Sequence, residues 1–283
     1  MAAMDCTTAL QTIEIELNQD EGSGGFHTKN NPQQPFQRSK IHQHRGGVDI
    51  KCSLVDVAHG KWAPDSDDYA SLIVLEFRFD PGKPGRRTIA STITVVFAGQ
   101  SVSDLDPSVA DLSFNDNCSL GPSTQEEVTT DAINGSLGVG GLGYVQIAVE
   151  GKHERVVSRK TADATYVTGS ACAIGVDGDS DNAVEWKLME NKTLRTGVPV
   201  YFRAGIILRR ETLANFQCTV EIDTRVDVRS TMERWFGRQP VDDPVLFNPT
   251  LKATSQIMEY DLENLGGTDL TRVGEVRFST VLG

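Results

Sequence analysis

The sequence predicts an all-β protein, a two-sheet antiparallel β-sandwich of roughly ten to twelve strands with at most one or two short helices. Three observations predict it. From Val48 onward apolar residues alternate with polar ones at a period of two, the spacing that puts one face of a strand on a core and the other in solvent. The 26 glycines and 11 prolines supply the many turns that such strands need. Only one stretch, residues 229–238, carries helical spacing, with Ser230 or Thr231 placed to cap it and Gly237 to end it. No internal repeat of fixed period is visible, which argues against a propeller or a solenoid.

In order, residues 12–17 predict a first strand, with Ile13, Ile15 and Leu17 alternating with Glu14 and Glu16. Residues 18–47 are rich in Gly, Gln, Asn and Pro and poor in aliphatics, and read as a flexible linker or long loop. We therefore divide the chain into an N-terminal segment, 1–17, the linker, 18–47, and a single sandwich domain, 48–283. Within that domain residues 48–57 form the first strand. Residues 72–79 and 88–97 flank the turn "DPGKPG", which predicts an antiparallel hairpin. Residues 133–149 keep Ile133, Leu137, Val139, Val145, Ile147 and Val149 on odd positions. Val184, Trp186 and Leu188 alternate with Glu185 and Lys187. Residues 198–208 are apolar on both faces, as a central strand must be, with Pro199 tolerable only near its start. Residues 219–228 alternate most regularly of all, and residues 275–281 make a last strand.

The charge balance, 39 acidic against 27 basic residues for a net charge of −12, disfavours nonspecific binding to nucleic acid or anionic lipid by repulsion. No run approaches the roughly 20 apolar residues that a membrane helix requires. The start of the chain carries acids where a secretory signal needs a basic end and an apolar middle, so a cytoplasmic location is expected. Five cysteines, odd in number and without a C-x-x-C pair, support neither a disulfide framework nor a zinc site.

Candidate chemistry is sparse. "GVDGDSDNAVEW" sets Asp177, Asp179 and Asp181 at alternate positions, and "APDSDDY" holds Asp65, Asp67 and Asp68. Carboxylates so spaced can converge on a hard cation, which makes calcium the one metal to consider. An EF-hand is excluded, because Asn182 stands where that loop needs glycine and Leu188 where it needs glutamate. Turn chemistry accounts for the same residue types without a metal. A third acidic loop contains Asp242 and Asp243. The glycine-rich run "NGSLGVGGLGY" lacks the G-K-[ST] of a phosphate loop, and its alternation runs straight through it. It reads as a flat strand, or as part of an amphipathic hairpin able to enter a bilayer. His42 and His44 form an H-x-H inside the predicted linker. Arg78, Glu185, Glu190 and Arg203 are charged residues in or beside apolar strands, and Glu185, Glu190 and Arg203 are the first to test as pocket acids or bases.

The segments "LIVLEFRFDPGKPGRR", "LGPSTQEE" and "DNAVEWKLMENKTLRTGVPVYFRAGIILRR" resemble a β-rich protein family of filamentous fungi over about residues 48–210. That resemblance implies a fungal, intracellular origin and carries no activity or catalytic residue with it.

The first functional expectation is an intracellular β-sandwich that binds a protein partner or an apolar small molecule, with no cofactor other than possible calcium at the acidic end loops. The second is a cofactor-free cyclase or isomerase of fungal secondary metabolism, which needs only a shaped apolar pocket and one or two polar groups. The third is a membrane-active, pore-forming protein built on the glycine-rich alternating strand. Nucleic acid is not expected as a partner, and no feature of the sequence sets an oligomeric state.

Overall fold

Alternation makes strands, and the two-sided strands decide how the strands are layered. The computed structural model describes residues 28–45, 48–81, 86–101, 103–115, 118–131, 155–175, 180–227 and 242–278, with the backbone alone over 120–131 and 155–162. In it the period-two segments form two antiparallel six-stranded sheets. The first runs β1 (Lys40–His44), β2 (Val48–Lys61), β3 (Tyr69–Pro81), β9 (Tyr201–Arg210) and β12 (Glu275–Arg277), with β5 (Ser108–Leu112) sharing the outer edge of β9. The second runs β11 (Val245–Phe247), β10 (Phe216–Val226), β4 (Thr88–Gly99), β8 (Ala183–Met189), β7 (Arg155–Cys172) and β6 (Cys118–Asp131). The sequence prediction of a two-sheet all-β fold holds.

The predicted hairpin across "DPGKPG" does not form. β3 pairs with β2 and β9, whereas β4 pairs with β8 and β10 in the other sheet. Between Pro81 and Thr88 the chain passes from one sheet to the other. The physical reason is that each strand's apolar face is used against the opposite sheet: Ile73, Leu75 and Phe77 of β3 pack in one cluster with Ile93, Val95 and Phe97 of β4. Alternation is the same for a hairpin and for a passage between sheets, so it cannot choose between them.

Between the sheets the core is continuous and aromatic at its centre. Trp186 is fully buried, with its ring centroid 6.1 Å from that of Phe77 and 5.7 Å from that of Phe202, and its indole N–H donates to the Ser113 carbonyl at 2.9 Å. Two-sided apolarity in β3 and β9 has a second cause. Leu72, Val74 and Ile207 point outward from the first sheet and are covered by Leu265, Leu270 and Val273 of the C-terminal segment, which includes two short 3-10 turns, Leu265–Gly267 and Leu270–Arg272. Asp56, fully buried on β2, fastens this cover by accepting from the Gln256 and Ile257 amides at 2.9 and 3.0 Å and from the Tyr260 hydroxyl at 2.7 Å.

β1 lies within the stretch 18–47, and its Ile41 is buried in the main core. The predicted strands over 12–17 and 133–149 and the predicted helix over 229–238 lie outside the described residues.

Candidate functional site

Two features of this frame are candidates for function, one at each end of β7. The first is a cleft of about 520 Å³ at one end of the sandwich, where the loops before β5, before β8 and after β9 meet. Asp68, Asp106, Ser180, Asn182, Arg210 and Phe216 are among the residues that line it. Thus Asp68 of "APDSDDY" and Ser180 and Asn182 of "VDGDSDN" line one cleft.

Their acids are not arranged as a cation site among the described residues, where no three His, Cys, Asp or Glu side chains are placed to hold a metal ion. Asp65 and Asp67 are exposed. Asp68 is ion-paired with Arg209, which donates from Nε at 2.7 Å and also contacts it through Nη2. Asp177 and Asp179 lie outside the described residues, and the Asp181 carbonyl accepts from the Val109 amide at 2.7 Å. Asn182 closes the loop: its Oδ1 accepts from the Ile174 amide at 2.8 Å, and its Nδ2 donates to the carbonyls of Phe97 and Ile174 at 3.2 and 3.1 Å. Gly175 has a φ of 70°, and the buried Asn182 ties the residue before β8 back to Ile174.

The three residues singled out as pocket acids or bases stand apart from this cleft. Glu185 is on the outer face of β8 and pairs with Lys187 at 2.6 Å. Glu190 is buried and accepts from Arg87 Nε at 2.9 Å and from the Gly197 amide at 3.2 Å, which closes the turn after β8. Arg203 donates to the Val273 carbonyl at 2.9 Å and pairs with Glu275 at 3.0 Å, holding the C-terminal cover to β9. Arg78 pairs with Glu76 at 2.7 Å. His42 sits on β1 with Nδ1 2.7 Å from Asp242, whose other oxygen accepts from the Thr28 amide at 2.5 Å, and Asp243 accepts from the Asn30 amide at 2.9 Å. The third acidic loop therefore fastens Thr28, Asn30 and His42, within the stretch 18–47, to the sandwich.

Sequence reasoning missed Arg210. It ends β9, is 5 % exposed, and no carboxylate among the described residues is ion-paired with it. Burial lowers its pKa to about 10, against a smaller opposite influence of Tyr69. The signal was present in "IILRR": of two arginines ending a strand that is apolar on both faces, alternation turns one inward. Beside it His59 is buried, with Nδ1 2.7 Å from the Ser71 hydroxyl and Nε2 2.9 Å from Gln37 Nε2.

The second feature is at the far end of β7. β8 pairs with β7 only over Tyr166 to Cys172, and β6 pairs with it from Val167 back to Arg155. From Asp163 to Arg155 the ladder is therefore a two-stranded ribbon in continuous register with Ser123 to Asp131. At about 3.3 Å per residue this ribbon projects roughly 30 Å beyond β8. Its root is fastened: Asp163 accepts from the Thr193 amide at 2.9 Å, and its carbonyl accepts from Asn191 at 3.2 Å. The glycine-rich run, 134–144, belongs to the connection between β6 and β7 and lies outside the described residues.

No family model and no curated protein matches the chain. Among solved structures, the NetB toxin of Clostridium perfringens in its membrane-inserted form aligns over 67 % of this chain and 83 % of that one, at 10 % identity and a TM-score of 0.26. The chain is thus a β-rich protein with a distant structural similarity to a pore-forming toxin, and no family is assigned to it.

Proposed function

We propose that this protein acts on membranes by placing the β6–β7 ribbon and its connection into a bilayer as one hairpin of an oligomeric β-barrel. The observation that carries this reading is the ribbon itself: two strands that run on for nine register pairs, Asp131↔Arg155 to Ser123↔Asp163, after the third strand has stopped. A two-stranded ribbon is marginal alone in water, so so long a projection calls for something to pair with or enter. A transmembrane strand needs about 9 to 11 residues. Between the two strands the sequence supplies them, with Ile133, Leu137, Val139, Val145, Ile147 and Val149 on one parity and small or polar residues mostly on the other. That is the lipid-facing and lumen-facing alternation of barrel strands. The resemblance to fungal β-rich proteins adds an origin to this reading and no activity.

The other expectations have less to rest on. A cofactor-free cyclase or isomerase calls for an enclosed apolar pocket with a buried acid or base, whereas the space between the sheets is filled by Trp186, Phe77, Phe202 and their neighbours. The binding-module reading has the cleft, to which we return below.

Dye release from phospholipid vesicles tests the membrane reading. The full chain should release entrapped dye, and a variant with residues 132–154 replaced by a short Gly-Asn turn should keep its fold and release none. Absence of release over a wide range of protein concentration, or equal release by the two proteins, would overturn it.

A further inference from the structure

The cleft at the loop end holds a cation, Arg210, with which no carboxylate among the described residues is ion-paired. Arg210 Nη1 donates to the Thr212 carbonyl at 2.9 Å and Nη2 to the Ala70 carbonyl at 3.4 Å, while Nε is buried without a hydrogen-bond partner among the described residues. Its guanidinium lies over the rings of Tyr69 and Phe216, 5.9 and 5.5 Å from their centroids. Taking a guanidinium out of water costs several kcal/mol, on the order of 5, unless a counter-charge replaces the lost solvation. Two carbonyls and two ring faces offset part of this.

The nearby acids are turned elsewhere. Asp68 is taken by Arg209, Asp106 accepts from the Gly99 amide at 2.8 Å, and Glu211 is exposed on the chain leading out of β9. Around the mouth, apolar side chains stand in solvent. Leu105 lines the cleft and is 60 % exposed, and Leu213, between the lining residues Thr212 and Ala214, is 49 % exposed.

We propose that this cleft binds a small amphiphilic anion, a carboxylate or phosphate ester with a short alkyl chain, its charged head against Arg210 and its tail along Leu105 and Leu213. The chemistry follows from the groups: a buried guanidinium selects a planar or tetrahedral oxyanion, and exposed leucines at the rim favour an apolar continuation. The source is a soluble ligand and not a lipid of the target bilayer, because Ser180 and Asn182 lead into Ala183, which pairs with Cys172 at one end of β7, and the ribbon leaves from the opposite, Arg155 end. The choice of a soluble source rests on the membrane reading of the ribbon, and the anion site itself does not.

Calorimetric titration of the full chain with octanoate and with octyl phosphate tests it. Both should bind, Arg210→Gln should weaken each at least tenfold, and Arg210→Lys should retain an intermediate affinity. Arg78→Gln, which removes an exposed arginine outside the cleft, should bind both as wild type does. Sedimentation with phosphatidate vesicles should be the same for wild type and Arg210→Gln, whereas a loss confined to that arm would assign the site to a lipid headgroup and overturn the soluble ligand. No binding of either probe at 10 mM, on the order of a very weak site, or equal affinity in wild type, Arg210→Lys and a folded Arg210→Gln, would overturn the proposal. If Arg210→Gln fails to fold, Leu213→Asp on the rim serves instead and should weaken octanoate far more than inorganic phosphate. Loss of dye release on replacing residues 132–154 should leave every one of these affinities unchanged.

Discussion

Replacing Asp56 by alanine should detach the C-terminal cover from the first sheet. Asp56 is fully buried, and its two oxygens accept three hydrogen bonds from the segment that carries Gln256, Ile257 and Tyr260. Hydrogen bonds to a charged group contribute about 1.5–3 kcal/mol each. The two amides are only partly buried and regain water when the carboxylate is removed, so the sum is discounted to about 3–5 kcal/mol. Asp56→Asn keeps an acceptor and a similar volume and should lose about half as much. Urea unfolding at neutral pH measures the total. Hydrogen exchange locates it, and protection should fall across Leu265, Leu270 and Val273 more than across β4 or β8. A loss below about 1 kcal/mol in Asp56→Ala, or unchanged exchange in the cover, would show that apolar packing on Leu72, Val74 and Ile207 holds the segment without the carboxylate.

Other consequences follow from single contacts. Gly169 of β7 has no room for a side chain, since a β-carbon there would meet Leu112 Cδ1, the Phe114 carbonyl oxygen and Trp186 Cδ1, each at 2.8 Å. Gly169→Ala should cost about 1–3 kcal/mol and alter the near-ultraviolet circular dichroism of the buried indole. An unchanged urea midpoint would contradict that packing. Burial, reinforced by the nearby charge of Arg210, pushes the His59 imidazole down to about 3. The fold keeps it neutral while the unfolded chain takes up a proton below about pH 6.5. Its contribution to stability is therefore complete above that pH and is lost progressively as pH falls towards 3. Between pH 7 and pH 4 the loss from this group is about 3 kcal/mol. His59→Gln should flatten that limb of the stability curve by a comparable amount, and an identical acid response in both proteins would refute the assignment.

How much of this was legible in the sequence depends on what each pattern encodes. Two-sided apolarity marked residues 198–208 as a central strand, and β9 is central because its inner face meets Trp186 and its outer face meets the C-terminal cover. The cover itself left no signal, since Leu265, Leu270 and Val273 are spaced along irregular chain and not on a strand or a long helix. Pairing was illegible for β3 and β4 because the parity of a strand says which residues face inward and not which sheet it joins. β6 and β7 were missed as strands for the opposite reason: "TQEEVTTD" and "RVVSRKTADAT" have little apolar alternation to mark a strand. Glu190 read as a pocket acid because its partner Arg87 is 103 residues away in sequence. Asp68 read as a candidate calcium ligand because ion-paired or turn carboxylates and metal loops use the same side chains.

If the ribbon works in a bilayer, the contacts at its root govern how readily it moves, and Asp163 is where those contacts end. It is the last residue of the ribbon before the buried Ala164 and Thr165, and its carboxylate accepts from the Ala164 and Thr193 amides at 3.0 and 2.9 Å. Burial would raise the pKa of this carboxyl, but the amide bonds outweigh it and hold the group below the usual carboxylate range. Asp163→Ala removes the carboxylate's hydrogen bonds with Ala164, Thr193 and Lys192, worth about 1–2 kcal/mol together at so exposed a site, and leaves the backbone ladder to β6 in place. Against a barrier set by freeing the root, that change corresponds to vesicle dye release faster by roughly 5- to 30-fold. Global stability should fall by no more than the same amount, because the sheets and the Trp186 core are untouched. Release that is unchanged or slower, with the root more open to hydrogen exchange, would mean that the ribbon enters the membrane without moving against its own sheet. The barrier would then lie in the assembly of copies, and Asp163 would be a structural clamp alone.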